Sequence, residues 1–318
     1  MKIRTFIATA SLVASGSLVA FSGSAQAALY TTCVGDGGAV TVSNDLVVPA
    51  GKSCTLTGTK VRGTVTVEAG ADLVAAGATF NSSVTVAENA YLDLTDTTVK
   101  GTLTTDSAFG AHLERSTLKA VDADEGFVYV VDSTLGGAVS TEAGELYVSS
   151  STLNSSLTGE GNQYSDVYDT TVKGALTVNG NTLGGVFCAS EVYGAAAYTG
   201  NADNLQIGGQ GLLGSCTGAS YFGGNLAVTD NTAKSVLDNA IVRGGLTATG
   251  NDPVLVVGES ARVRGAVTGE TAAGASSSRS AREAAPQDRG ADLAEKAAAR
   301  SAAAVADAHA AGCLLYTS

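Results

Sequence analysis

A repeat of about 19 residues constrains this chain more than anything else in it. Thr97-Thr98-Val99-Lys100-Gly101-Thr102-Leu103-Thr104 returns as Thr170-Thr171-Val172-Lys173-Gly174-Ala175-Leu176-Thr177 and again as Ala240-Ile241-Val242-Arg243-Gly244-Gly245-Leu246-Thr247. An apolar anchor recurs at Val61, Phe80, Val99, Leu118, Leu135, Leu153, Val172, Val192, Leu213, Val242 and Val263, at intervals of 17 to 29 residues. That period is too short for paired helices. Val, Thr, Leu, Tyr and Gly fill it, with apolar residues alternating in twos, which is strand chemistry. Each unit holds an anchor strand, a second strand (Val65/Val67, Val84/Val86, Leu176/Val178), a Gly/Asn/Asp turn and a third short strand such as Leu92-Asp93-Leu94 or Leu146-Tyr147-Val148. Three short strands per unit make one coil of a parallel β-solenoid. No coil buries its apolar face alone, so neighbours must stack.

The columns fix the register. Two residues after the anchor sit Gly63, Ser82, Gly101, Ala120, Gly137, Ser155, Gly174, Gly194, Ser215, Gly244 and Gly265, all small, as a crowded inward corner requires. One residue before the anchor sit Thr79, Thr98, Thr117, Thr134, Thr152 and Thr171, and Asp96, Asp132 and Asp169 fall at turn positions. The expectation is an all-β chain: a single-stranded parallel β-helix of about eleven coils and about 50 Å, at about 4.8 Å per coil. The motif Val-x-Gly-x-Leu/Val-Thr-Val, seen in Val61-Arg62-Gly63-Thr64-Val65-Thr66-Val67 and in Val172–Val178, resembles the right-handed β-helix superfamily, in particular short-rung bactofilin-like solenoids. The resemblance implies architecture and leaves end-to-end self-association open. The leader and cysteines described next depart from that family.

The ends read differently. Residues 1–27 have the pattern of a signal peptide: Lys2 and Arg4, an apolar stretch from Phe6 to about Phe21, then Ala25-Gln26-Ala27. The expectation is a secreted, extracellular or cell-surface protein of bacterial type, with no membrane span after cleavage. That compartment permits disulfides. Cys33, Cys54, Cys188 and Cys216 form two local pairs, expected as Cys33–Cys54 and Cys188–Cys216. Residues 28–60 read as an N-terminal cap stapled by the first pair, and 61–269 as the β-helix. Residues 270–318 read as an Ala-rich tail, disordered or weakly helical. Pro286-Gln287-Asp288 offers a helix start, but only Leu293 and Val305 supply an apolar stripe, which predicts poor docking. Cys313-Leu314-Leu315-Tyr316-Thr317-Ser318 looks like the translated end of a sequencing-library transposon adapter.

Composition narrows the chemistry. Charged residues are 15% and hydrophobic residues 44%, which excludes wholesale disorder. A net charge of -12 argues against a nucleic-acid partner. With His112 and His309 the only imidazoles, a His-ligated metal or a Ser-His-Asp triad has little to be built from.

Several surface features remain as candidates. Tyr91, Tyr147 and Tyr164 lie on or at the entry to the third strand beside Asp93, Glu145 and Asp166, while Tyr193, Tyr198 and Tyr221 lie near the Cys188–Cys216 insertion. Tyrosine beside carboxylate suits sugars, and cross-coil ring stacking is the plainer reading. Asp122, Asp124 and Glu125 occupy the shortest repeat. They suit Ca²⁺, or acid and base roles, if they cluster. A register shift that turns Val121 and Ala123 inward exposes them instead. Arg62, Lys100, Lys119, Lys173, Arg243 and Arg264 form a basic column suited to an anionic wall polymer, or simply an outward strand position. The Thr column also suits ice. The expected role is a non-catalytic structural or adhesive module of the cell surface that binds polysaccharide or self-associates, with no cofactor. The alternatives are a β-helix polysaccharide lyase or glycoside hydrolase, and lastly an ice-binding protein.

Overall fold

The computed structural model describes residues 29–211, 213–216, 218–274 and 289–317; the leader-like residues 1–27 lie outside them. The chain forms an all-β parallel solenoid of about 13 coils. At about 4.8 Å per coil the rod is about 60 Å long. Each coil has an anchor face of two-residue strands such as Thr79–Phe80, a second face such as Val84–Val86 and a third face such as Tyr91–Thr95. Strands pair in parallel with the same strand one coil away, so Val61, Phe80, Val99 and Leu118 stack in one line. These side chains are almost fully buried, and alternation on the second face puts Val84 and Val86 inside as well.

The coil count exceeds the expected eleven because the N-terminal region is itself coiled. Thr41–Val42 pairs with Lys60–Val61, Asp45–Val48 with Val65–Val67, and Ser53–Thr57 with Asp72–Ala76. Val42 is thus a further anchor. Cys33 and Cys54 are bridged inside these coils, with Cα atoms 5.7 Å apart. One anchor also moves. Val192 stacks on Phe222, not on Leu213, and the corresponding small residue is Gly224, not Ser215. Between them the chain leaves the solenoid in a loop that carries a two-stranded hairpin, Gln210–Gly211 with Gly214–Ser215, tied back by Cys188–Cys216.

Two internal ladders hold the corners. Ser116, Ser133, Ser151 and Thr170 each accept a hydrogen bond from the backbone N–H of the equivalent residue one coil earlier, at 3.0–3.2 Å. Each hydroxyl also donates to the carbonyl two residues upstream, at 2.7–2.9 Å. At another corner the backbone N–H groups of Asn181, Asn201 and Asn231 donate to the side-chain oxygens of Asn201, Asn231 and Asn251, at 2.8–3.1 Å. Buried corner N–H groups that no strand satisfies thereby find partners.

The tail reverses this architecture. Arg289–Ala311 is one α-helix, α1, that runs back along the outside of the third face toward the N-terminal coils. Alanine-rich sequence favours helix. Its buried side is Leu293, Ala297, Ala304 and Ala308, with Arg289 and Gly290 at its start. The poor docking expected from a thin apolar stripe is therefore corrected. Small residues on α1 meet large rings on the solenoid: Leu293 and Ala297 pack with Tyr91, Phe127 and Tyr164. Cys313–Thr317 then pairs antiparallel with Tyr30–Gly37 at the end of the rod.

Candidate binding groove beside the helix

Alternation along the third face sends two columns outward beneath and beside α1. One column is Asp72, Tyr91, Gly110, Phe127, Glu145 and Tyr164. The other is Val74, Asp93, His112, Tyr129, Tyr147 and Asp166. The aromatic rings interlock. His112 lies 5.3 Å from Tyr129, and Tyr129 stacks on Tyr147 at 5.0 Å with planes 14° apart. Tyr147 meets Tyr168 at 5.5 Å. Parallel stacking at the ladder's centre covers ring faces that a sugar would otherwise use.

Carboxylates hold α1 from beneath. Arg289 pairs with Asp166 at 3.2 Å, donates to the Leu183 carbonyl at 2.9 Å and lies 4.6 Å over the Tyr164 ring. Lys296 pairs with Glu145 at 3.3 Å and Arg300 with Asp72 at 2.9 Å. Burial pushes the Asp166 carboxyl up to about 6, against the pull of Arg289. Burial likewise raises Asp72, which Arg300 offsets, and drives the Tyr91 and Tyr164 phenols far above their ordinary value.

The helix leaves a groove along one flank. Its middle is a cleft of about 510 Å³ between Asp93, Thr95, His112, Glu114, Tyr129 and Val131 on the solenoid and Ala294, Ala298 and Ser301 on α1. A second cleft of about 410 Å³ continues it toward the N-terminal end, past Val74, Ala76, Thr55 and Thr57 to Asp36, with Val305 and His309 as its wall. Their linings belong to adjacent coils, since Val74 and Ala76 sit one coil below Asp93 and Thr95. Both histidines line this groove, each joined through Nδ1 to an aspartate: His112 to Asp93 at 3.0 Å, and His309 to Asp36. Asp93 also accepts from Ser301 and, at 3.4 Å, from Tyr91.

The tyrosines singled out in the sequence separate. Tyr91 is wholly buried under α1, with its hydroxyl donating to the Ala297 carbonyl at 3.1 Å, and Tyr164 is 7% exposed beneath Arg289. Neither reaches a ligand on the outer surface. Tyr198 lies inside the coil, in the line of Val178 and Val228, and its hydroxyl finds no hydrogen-bond partner. Tyr147 belongs to the stacked ladder, with Gly290 of α1 against its ring. Tyr193 is 52% exposed, donates to Glu191 at 2.8 Å and meets Tyr221 edge-on at 6.1 Å. That pair lies on the anchor face, away from the groove, between the exposed Lys173 and Arg243.

The acidic rung follows the shifted register. The pairing with the coil before slips between Val99 and Thr102, which turns Val121 and Ala123 inward and leaves Asp122, Asp124 and Glu125 exposed. Asp124 stacks between Asp106 and Glu142, while Asp122 stacks between Thr104 and Ser140. Among the described residues no group of three or more His, Cys, Asp or Glu side chains is placed to hold a metal ion. The six-membered Thr column stands in register from Thr79 to Thr171.

The groove itself was not legible as a site. His112 and Glu114 sit on a third strand like any other, and the wall that makes them a cleft comes from residues almost 200 positions later. Among the described residues no helix is long and apolar enough to cross a membrane. No protein-family model matches this chain, and neither a curated protein nor a solved structure does.

Proposed function

We propose that this chain is a secreted, non-catalytic structural or adhesive β-helix of the bacterial surface that binds polysaccharide. The leader-like N-terminus and the two cysteine pairs fit an oxidising compartment. The observation that carries the reading is the pair of clefts beside α1, which follow one another along the third face of the rod between stacked coils and the helix. Extended polymers suit such a surface, because the coils set successive contacts at a fixed spacing of about 4.8 Å. Exposed Tyr193, with half-buried Tyr221 against it, adds an aromatic contact on another face.

A glycan array probed with the full chain tests this. Retention of at least one polysaccharide class, lost when Ala298→Trp fills the cleft, is the expected result. No retention of any glycan overturns it. A second reading, a lyase or hydrolase, draws on the Asp93–His112 pair, in which a carboxylate orients an imidazole at a cleft floor. Release of unsaturated uronides or reducing ends by the unmodified chain, abolished in His112→Gln, would establish that reading over the first.

A further inference from the structure

We infer that the anchor face of the rod binds a linear glycan carrying carboxylate groups. The inference rests on the polysaccharide reading but not on the clefts, and it names a substrate class. Arg62, Lys100, Lys119, Lys173, Arg243 and Arg264 occupy the outward position just past the anchor, and all are exposed. None of them forms an ion pair with a described carboxylate, although the chain carries a net charge of -12. Elsewhere Arg115, Arg289, Lys296 and Arg300 each find an aspartate or a glutamate. The second outward column of this face lies just before the anchor. Across both columns, from Thr41 to Arg264, Glu191 is the one acid. An otherwise acidic rod thus carries one positive strip, about 48 Å from Arg62 to Arg264 at about 4.8 Å per coil.

One stretch of the strip suits a sugar ring as well as a charge. Along the column Lys173 is followed by Tyr193, Gly223 and Arg243, one coil apart each. Lys173 and Arg243 therefore stand about 14 Å apart, with Tyr193 between them. Tyr193 is 52% exposed, and Gly223 brings no side chain to cover it from the next coil. Tyr221 meets it at 6.1 Å with planes 68° apart, so the two rings do not lie flat on one another. The Tyr193 hydroxyl donates to Glu191 at 2.8 Å, which orients the ring. A pyranose packs its C–H face on such a ring. Its hydroxyls donate to Glu191, and carboxylates on the flanking sugars meet Lys173 and Arg243. A polyphosphate chain would use the two cations alone, because it has no ring for Tyr193 and Glu191 repels it. The ring and the acid between the cations therefore favour an anionic glycan over a bare polyanion.

The test is calorimetry on the full chain with a linear oligoglucuronate and with its fully methyl-esterified counterpart, which keeps the rings and loses the charges. We expect the acid to bind and the ester to bind at least tenfold more weakly. Lys173→Gln combined with Arg243→Gln should weaken the acid at least tenfold, the loss expected for charged hydrogen bonds. Tyr193→Ala should weaken it about tenfold, the size of one aromatic contact, and Tyr193→Leu replaces that variant if it melts early. Lys52→Gln combined with Lys234→Gln removes as much exposed charge from the third face and should change nothing. Ala298→Trp, at the cleft, should change nothing either. Equal binding of the ester overturns the inference, and so does acid binding that ignores the Lys173 and Arg243 changes. Polyphosphate that competes as well as the acid and ignores Tyr193→Ala also overturns it, since the strip would then take any polyanion. Absence of acid binding overturns it too. If the array then still shows a glycan blocked by Ala298→Trp, the polysaccharide reading survives; if no glycan binds at all, both fall.

Discussion

At the scale of single residues, the corners decide whether coils can stack. Ser133 accepts from the Ser116 N–H at 3.0 Å and donates to the Val131 carbonyl at 2.8 Å. Ser133→Ala removes both bonds and leaves a buried N–H without a partner. We expect a loss of about 1–3 kcal/mol in urea unfolding. Ser133→Thr should retain wild-type stability, because Thr97 and Thr170 already do the same work in this ladder. Ala143 gives the opposite case. It is held at a φ of 56°, while the next coil uses Gly161 at 60° for the same corner. A left-handed backbone disfavours a Cβ, so Ala143→Gly should raise stability by about 0.5–1 kcal/mol in the same assay. The column before the Thr column was missed in the sequence, because Thr97, Ser116, Ser133 and Ser151 look like ordinary surface hydroxyls until their burial is known.

At the scale of elements, strands were legible and the helix contact was not. Alternation and spacing give the coil directly, since inward Val84 and Val86 and outward Thr85 follow from period two alone. The Leu213 anchor failed because an inserted loop also supplies apolar residues near the expected interval. Helix α1 failed for a different reason. A search for a wide apolar stripe assumes that the helix brings the large side chains. Here the solenoid brings them, as Tyr91, Phe127 and Tyr164, and α1 adds one leucine, Leu293, with alanines and three cations. The seam is therefore electrostatic as well as apolar, with a definite pH response. The Asp166 carboxyl stands near 6 in the fold against an ordinary 3.8, so the folded state binds more protons between those values. Its contribution to stability should rise as pH falls from about 6 toward 4, by up to about 3 kcal/mol. Urea melts at pH 7.5 and 4.5 check this: the wild-type chain should gain relative to Asp166→Asn on acidification, and a constant difference would refute it.

At the scale of the whole molecule, α1 makes one part of the rod unlike the rest. Gly290 lies on Tyr147, and His309 pairs with Asp36. Between those solenoid residues the register takes six steps: Tyr147, Tyr129, His112, Asp93, Val74, Thr55, Asp36. Six coils advance about 29 Å at about 4.8 Å each, and the helix from 290 to 309 advances about 29 Å at 1.5 Å per residue. Removing residues 104–121 takes out one coil in register and leaves Asp72, Asp93, Glu145 and Asp166 in place. We expect such a chain to keep its β-sheet circular dichroism while α1 loses hydrogen-exchange protection. Removing 227–246, beyond the reach of α1, also excises one coil in register. It should leave α1 protected.

That matching of lengths turns α1 into a ruler. Repeat proteins ordinarily gain and lose units by slippage, because each unit sees only its neighbours. Here the six coil-to-coil steps beside α1 are counted by a rigid gauge, and a lineage that added or dropped one would have to relengthen the helix by about three residues in the same step. The coils beyond Asp166 carry no such gauge, so variation in rod length among any descendants of this architecture should accumulate there.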